Sequence, residues 1–459
     1  MPNNELTHPS GPINGRTLVN LKAVLESFLG GGEVRDLDLA LLMNVPLNRL
    51  SQLKRAKSSI YTVGRTSDKS VGLDAEEEEE ESAELPGVRP SQAILVRLLL
   101  KRPDLVPMPL RPSSAEVFDL LQPFMGVVDQ VKYIKSGGKS GFAPLFGRSY
   151  ISSYKMLGEG AAGMQNAGLP VARLQMLVVG KYSQFFRDGL RKYAVQSRSA
   201  PAFVKETLQC KTGWGLLREK DSLTDWMDDA LHDRFESEVY ALFSQWFSNC
   251  YLGILKNEAK SRDLDPVAAI IKGKWVNSSA VSDDKLRQYD RFSRPILGSS
   301  DSLFSLFRES FGLTSAEAYW VLGLQVKAFY RFRQQPDRRV DAPTSILLRY
   351  LFQYPEDIGL FMPKPMPGAE IFDKIKDEDG NFKLGQLAPL FGASRVMSYE
   401  FSNPDSPCPF FARRLAMVFQ AAFSGGEPIY RLLRECVEEE VQARGLSSDL
   451  FWRDGRWHK

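Results

Sequence analysis

The chain repeats itself, and a sequence that occurs twice constrains the fold more than any single motif does. Residues 89–120 read RPSQAILVRLLLKRPDLVPMPLRPSSAEVFDL, and residues 342–375 read APTSILLRYLFQYPEDIGLFMPKPMPGAEIFDKI. Each has a proline-led apolar helix with an arginine at the matching place, Arg97 or Arg349. Each continues with Pro-acid (Pro103-Asp104, Pro355-Glu356), a Pro-rich connector and Ala-Glu-aliphatic-Phe-Asp at 115–119 or 369–373. Downstream, APLFGRSYISSY at 143–154 matches APLFGASRVMSY at 388–399, and upstream Glu26-Ser27-Phe28 matches Glu309-Ser310-Phe311. The order is the same and the offset drifts, as loop insertions make it drift. The pattern predicts a tandem duplication of residues 17–195 and 302–435. A flexible N-terminus (1–16), a helical connector without a counterpart (196–301) and a C-terminal tail (436–459) complete the organisation.

The largest length difference falls between the matched segments. The second copy has a short loop at 334–341, whereas the first has 58–88, with six consecutive glutamates at 76–81. Like charges in such a run repel one another and stay solvated. The expectation is a disordered acidic loop over 60–86, a plain solvated insertion, with a DNA-mimicking or tethering role as the alternative.

Local patterns inside the copies are helical. In LTSAEAYWVLGL (313–324), Thr314 is an N-cap and Glu317 follows at the capping-box spacing. Ala318, Val321 and Leu322 recur on one helix face. Gly323 permits the left-handed turn that ends a helix sharply. A second short helix is expected at 325–333 (QVKAFYRFR), with Val326 and Phe329 inward and Lys327, Arg331 and Arg333 outward. Pro343 then opens another helix. Two helices joined by a tight turn, the second bearing outward cations, are the arrangement that lays a helix in a DNA groove.

These residues resemble the Cro/phage-repressor type (XRE-like) of helix-turn-helix, whose run is Thr-x-x-Glu-Ala-x-x-Leu-Gly, a reading helix and a proline-led helix. Thr314, Glu317, Ala318, Leu322, Gly323 and Pro343 carry the likeness; the bulky Tyr319-Trp320 pair departs from it. The resemblance implies base or phosphate contacts from Gln325, Lys327, Ala328, Arg331 and Arg333, with no cofactor.

The same grammar recurs three times. Residues 37–56 place Asn44 at the turn, where asparagine tolerates the left-handed conformation, with Asn48, Arg49, Gln52, Lys54 and Arg55 outward. Residues 142–157 place Gly147 at the turn, with Arg148, Ser149, Ser152 and Lys155 outward. Residues 384–403 place Gly392 there, with Ser394, Arg395, Ser398 and Tyr399 outward and a following helix carrying Arg413 and Arg414. The expected fold is therefore all-α: two homologous halves, each with two helix-turn-helix-like units, joined by a helical connector.

Within the connector, the run 214–257 is amphipathic and aromatic-rich (Trp226, Phe235, Tyr240, Phe243, Trp246, Phe247), which reads as core that docks the halves or as a dimerisation pair. Its Asp225, Asp228, Asp229, Asp233, Glu236 and Glu238 make it acidic and unsuited to DNA. Tail residues Phe451, Trp452 and Trp457 suit folding back onto the body or holding a partner.

Chemistry is poorly represented. Gly158, Gly160 and Gly163 form a GxGxxG string without the strand a dinucleotide site needs. Gly138-Lys139-Ser140 lacks the earlier glycine of a phosphate loop, Tyr133 standing there instead. Only three histidines are present, and the four cysteines (Cys210, Cys250, Cys408, Cys436) form no CxxC, so reduced thiols of a cytoplasmic protein are expected. No apolar run reaches the roughly 18 residues of a membrane span. Lys plus Arg is 59 against 56 acids, a net charge of +3, so nucleic-acid affinity has to come from a local patch rather than bulk charge.

The reading that unites these features is a non-enzymatic, sequence-specific double-stranded DNA-binding protein, with a second copy of the chain or RNA polymerase as further partners and no membrane. The family resemblance points to transcription regulation in a bacterial mobile element. The alternatives are an architectural or accessory factor for replication, partition or conjugative transfer, and a protein-interaction scaffold of degenerate helix pairs.

Overall fold

The computed structural model describes residues 11–28, 34–45, 47–55, 88–106, 112–128, 138–158, 169–197, 200–202, 204, 217, 220–271, 273–275, 303–324, 340–423 and 429–457. Every regular element among them is a helix, the all-α class that the periodicities predict. The acidic stretch at 60–86 lies outside the described residues. An N-terminal stretch carries α1 (Gly15–Phe28), α2 (Asp36–Leu42), α3 (Leu47–Arg55) and α4 (Pro90–Lys101). A middle stretch carries α5 (Ser114–Val128), α6 (Lys139–Phe142), α7 (Tyr150–Met156), α8 (Leu169–Gln196), α9 (Lys220–Thr224), α10 (Asp229–Trp246), α11 (Leu252–Ser261), α12 (Pro266–Ile270), α13 (Leu303–Ser310), α14 (Ser315–Val321) and α15 (Ala342–Gln353). A C-terminal stretch carries α16 (Gly368–Glu378), α17 (Leu387–Leu390), α18 (Met397–Phe401), α19 (Arg413–Phe423), α20 (Tyr430–Ala443) and α21 (Ser448–Asp454).

Start signals act as the sequence suggests. Pro90 and Pro343 occupy the first turns of α4 and α15, where a missing N–H costs nothing. At α14 the capping box is complete: the Glu317 N–H donates to Thr314 Oγ1 (3.2 Å) and the Thr314 N–H to Glu317 Oε2 (3.0 Å).

The chain divides into two compact units that do not coincide with the two halves read from the sequence. Unit 1 is Met1–Met108 with Pro363–Lys459 and Gln209–Lys211; unit 2 is Pro109–Leu208 with Thr212–Met362. Each unit takes the front of one half and the back of the other.

Buried charge ties the distant stretches of each unit together. In unit 1, Arg97 of α4 donates from Nε to Glu440 Oε2 of α20 (2.9 Å), and Arg444 donates from Nε to Glu440 Oε1 (2.8 Å). Arg97 is 1% exposed and Glu440 fully buried. In unit 2, Arg349 of α15 donates from Nε to Glu258 Oε2 of α11 (2.6 Å), and Arg262 and the Ser345 hydroxyl also donate to Glu258, itself fully buried. The second arginine of each set also holds the chain just before the partner helix: Arg444 Nη2 donates to the Val88 carbonyl (3.1 Å) and Arg262 Nη2 to the Val340 carbonyl (3.0 Å). A buried carboxylate is tolerable only when its lone pairs are met by such donors. Each carboxylate therefore needs its arginine from the far stretch of the chain.

These contacts bear on the connector and the tail. The region 196–301 does have a counterpart, because Glu258-x-x-x-Arg262 is followed by Gly273-Lys274-Trp275 at the spacing at which Glu440-x-x-x-Arg444 is followed by Gly455-Arg456-Trp457. The tail at 436–459 is part of unit 1, where the buried rings of Phe451 and Trp457 meet at 4.6 Å.

Among the described residues, unit 2 carries a long helical hairpin of α8 and α10 that unit 1 does not show. Its core holds Phe186, Leu190, Phe235 and Val239, with Phe186 and Phe235 edge to face at 5.3 Å. Asp225, Asp228, Asp229 and Asp233 remain exposed on it.

Two outcomes are expected from this packing. Replacing Arg349 or Arg97 by Ala strands a buried carboxylate and lowers stability by about 3–5 kcal/mol in denaturant unfolding, whereas Lys192→Ala, which breaks the exposed Lys192–Glu238 pair, leaves the midpoint nearly unchanged. Burial pushes the Cys436 thiol up to about 12, so alkylation at mildly alkaline pH modifies Cys436 only after denaturation.

Candidate nucleic-acid interface

The turn residues named from the sequence all adopt the left-handed conformation: Asn44 at φ 56°, Gly147 at 70°, Gly323 at 65° and Gly392 at 83°. In each case the residue after the turn donates its N–H back across it: Val45 to Ala40 (2.9 Å), Arg148 to Ala143 (3.1 Å), Leu324 to Tyr319 (2.8 Å) and Ala393 to Ala388 (2.9 Å). This bond satisfies a carbonyl at the end of the preceding helical turn. Two of the glycines are also fixed by crowding. A Cβ at Gly392 falls 2.2 Å from the Ser91 nitrogen, and one at Gly323 falls 2.6 Å from the Leu169 carbonyl carbon. Asn44 has room for its side chain, whose Nδ2 reaches the Phe410 carbonyl at 3.5 Å.

Buried arginines hold the ends of the first helices. Arg414 of α19 donates from Nε to the Leu41 carbonyl at the end of α2 (3.0 Å). Arg173 of α8 donates from Nε to the Trp320 carbonyl at the end of α14 (2.8 Å), with its guanidinium 4.1 Å from the Trp320 ring centre. Each guanidinium also contacts a methionine sulfur three residues on, Met417 or Met176. Cations suit these positions because helix C-termini present unsatisfied carbonyls and partial negative charge. Arg414 is thus a brace, turned inward at 4% exposure. The bulky Trp320, a departure from the repressor pattern, is the ring on which Arg173 rests.

The second helices differ in what they present. On α3, Leu50 and Leu53 are buried while Gln52 and Arg55 are exposed. Arg49 is half-buried, and the side chain of Asn48 lies outside the described residues. Lys54 is held by both Asp36 carboxylate oxygens at 2.8 and 2.9 Å, so it has to leave that pair to meet a phosphate. On α7, Lys155 is exposed, Arg148 stands 3.6 Å from Asp341, and the half-buried Ser149 and Ser152 hydroxyls meet each other at 3.2 Å. On α18, Arg395 is exposed and Ser394 half-buried. Ser398 is corrected: it is fully buried, and its Oγ accepts the Ala388 N–H at 3.0 Å. Its twin Ser153 accepts the Ala143 N–H at 2.9 Å. Both serines pin the second helix to the start of the first. Gln325, Lys327, Ala328, Arg331 and Arg333 lie outside the described residues.

The sequence reading placed Tyr399 outward, and it is 65% exposed, but it missed two features. Apolar side chains stand out at matching places at α7 and α18, Ile151 and Tyr154 at 54% and 53% exposure and Val396, just before α18, at 78%. In addition, the loops at Gly273 and Gly455 abut the starts of these same helices. The signal for the loops was the paired Gly-cation-Trp string, obscured because one copy lay in the connector and the other in the tail.

Among the described residues, no group of three or more His, Cys, Asp or Glu is placed to hold a metal ion, and no helix is long and apolar enough to cross a membrane. No family model, curated protein or solved structure matches the chain.

Ser398→Ala removes the acceptor of a buried N–H. It is expected to cost on the order of 1–3 kcal/mol in unfolding while leaving any nucleic-acid affinity of the folded protein unchanged. Asn44→Gly keeps the turn and is expected to be neutral or slightly stabilising. Asn44→Val forces a branched residue into the left-handed region and costs about 1–2 kcal/mol.

Proposed function

We propose that the chain binds double-stranded DNA, laying the second helices of its helix pairs against the duplex. The supporting observation is α3. It follows a left-handed Asn44, it is held from behind by Leu50 and Leu53, and it turns Gln52 and Arg55 to solvent. Those two side chains have the donor geometry that reads purines in the major groove, glutamine for adenine and arginine for guanine. The bracing helix in front of it ends on the Arg414 contact, so the reading face is set by packing rather than by loop conformation. Helix α14 has the same brace through Arg173, and the cationic stretch with Lys327, Arg331 and Arg333 follows it in the sequence. Transcription regulation is the use to which the resemblance to the Cro/phage-repressor type points.

The halves fit a tandem duplication whose copies have exchanged their front segments. The matched buried arginines, serines and turn glycines support this history. Under it, one chain supplies what two subunits of a symmetric regulator supply. It reads two related half-sites without requiring them to be identical.

A second reading, a protein-interaction scaffold, has one observation in its favour. On α7 and α18, exposed Ile151, Tyr154, Val396 and Tyr399 take up surface that a DNA reader fills with cations. The two readings separate on salt. A DNA binder is retained on duplex and released as salt rises, because each neutralised phosphate frees counterions; a scaffold shows no such retention.

The test is selection of bound genomic fragments with the full chain, followed by anisotropy titration on the enriched site. Gln52→Ala and Arg55→Ala are each expected to weaken the selected site by about 1–3 kcal/mol and to relax its sequence preference. An Arg331→Ala/Arg333→Ala double variant is expected to do the same at a different part of the site. Undiminished affinity in both sets overturns the assignment.

A further inference from the structure

The first turns of α7 and α18 are each met by a loop from the later part of the same unit. In unit 2, Gly273 lies so close that an added Cβ falls 2.7 Å from the Tyr150 nitrogen and 3.0 Å from Pro144 Cγ. In unit 1, a Cβ at Gly455 falls 2.7 Å from Arg395 Cβ and 2.9 Å from Pro389 Cγ. Both glycines are left-handed, at φ 61° and 65°. Glycine is needed on both counts. Two residues on, a buried tryptophan fixes each loop. Trp275 donates from Nε1 to the Pro144 carbonyl at 2.9 Å, and Trp457 packs on Phe451 with the Arg444 guanidinium 5.8 Å from its ring centre. In unit 1 the Arg395 N–H also donates to the Gly455 carbonyl (3.2 Å).

The residue between glycine and tryptophan is Lys274 in one loop and Arg456 in the other, and both are exposed. The ten residues between Arg262 and Gly273 and those between Arg444 and Gly455 have diverged, sharing only Leu264 and Leu446 at matching positions. Glycine and tryptophan have packing reasons to persist. An exposed side chain between them has none, yet its positive charge is kept. The frame fixes that cation beside the start of a second helix in both units.

We propose that Lys274 and Arg456 are phosphate clamps, each neutralising a DNA backbone phosphodiester beside the helix it flanks. This rests on the DNA-binding reading and adds to it a second cation beside each helix, next to the exposed Lys155 of α7 and the exposed Arg395 just before α18. The chemistry fits a polyanionic backbone rather than a base edge. Lysine and arginine are interchanged between the copies, which suits a point-charge contact and not a bidentate base contact. Backbone contacts of this kind set register and orientation without reading sequence.

The test uses the full chain as wild type, Lys274→Gln, Arg456→Gln and the double variant. Binding to selected and unrelated duplexes is titrated by anisotropy over a range of salt, and thermal unfolding is recorded alongside. Each single variant is expected to lower the log–log salt slope by about 0.9, and the double variant by about twice that. Affinity should fall on every duplex alike, the ranking of sequences should be kept, and the unfolding temperature should stay at the wild-type value. A wild-type slope retained by the variants, while the wild-type chain does bind duplex DNA, overturns the clamps and leaves the DNA reading standing. A changed ranking of sequences overturns the phosphate assignment in favour of base contact. Absence of salt-dependent duplex binding by the wild-type chain overturns the underlying reading itself.

Discussion

A fully buried carboxylate clasped by two arginines is the constraint on which each unit depends. Glu440 between Arg97 and Arg444, and Glu258 between Arg349 and Arg262, have no water to fall back on. An unpaired charge in that setting costs several kcal/mol, so a fold that separates the partners is strongly disfavoured. The pair joins helices far apart in sequence, Arg97 and Glu440 in one case and Arg349 and Glu258 in the other. It thereby ties the two distant stretches of each unit together at a fixed register. Hydrophobic burial alone, being non-directional, discriminates poorly between two nearly equivalent partners.

The remaining polar contacts in the core follow the same economy. Arg173 and Arg414 close the ends of bracing helices, Ser153 and Ser398 tie second helices to first, and glycines stand where a neighbouring backbone leaves no room. At α3, α7 and α18 these contacts make the placement of the second helix a property of the core. A surface helix held in this way presents its side chains in a defined direction, which recognition of a rigid duplex requires.

Much of this was legible in the sequence because it is local. Turn positions Asn44, Gly147, Gly323 and Gly392 stand out between apolar runs, and left-handed φ is a demand made by a single residue. The capping box of Thr314 and Glu317 is readable for the same reason. What stayed hidden depends on distant partners. Nothing near Ser398 says that its hydroxyl is taken by Ala388, because an outward serine and a buried one look alike until the register of a short helix is known. Lys54 reads as a free cation until Asp36, eighteen residues earlier, is brought beside it. The crosswise division into units was invisible because both sequence-matched stretches carry the same apolar patterns and the same Glu–Arg pair, so nothing local says which stretch packs on which. Repeat matching also stopped at 195 and 435, before the Glu-x-x-x-Arg and Gly-cation-Trp strings, because Glu440 follows five residues after 435 whereas Glu258 follows 63 residues after 195.

The account stands on second helices that meet a duplex through its major groove. Chemical footprinting of a selected genomic site, with probes for guanine N7 and for the sugar-phosphate backbone, tests this most directly. The account predicts groove-side guanine protection within tracts of backbone protection, both fading together as salt is raised. Backbone protection with every guanine N7 still reactive, or no protection at any salt, would contradict it.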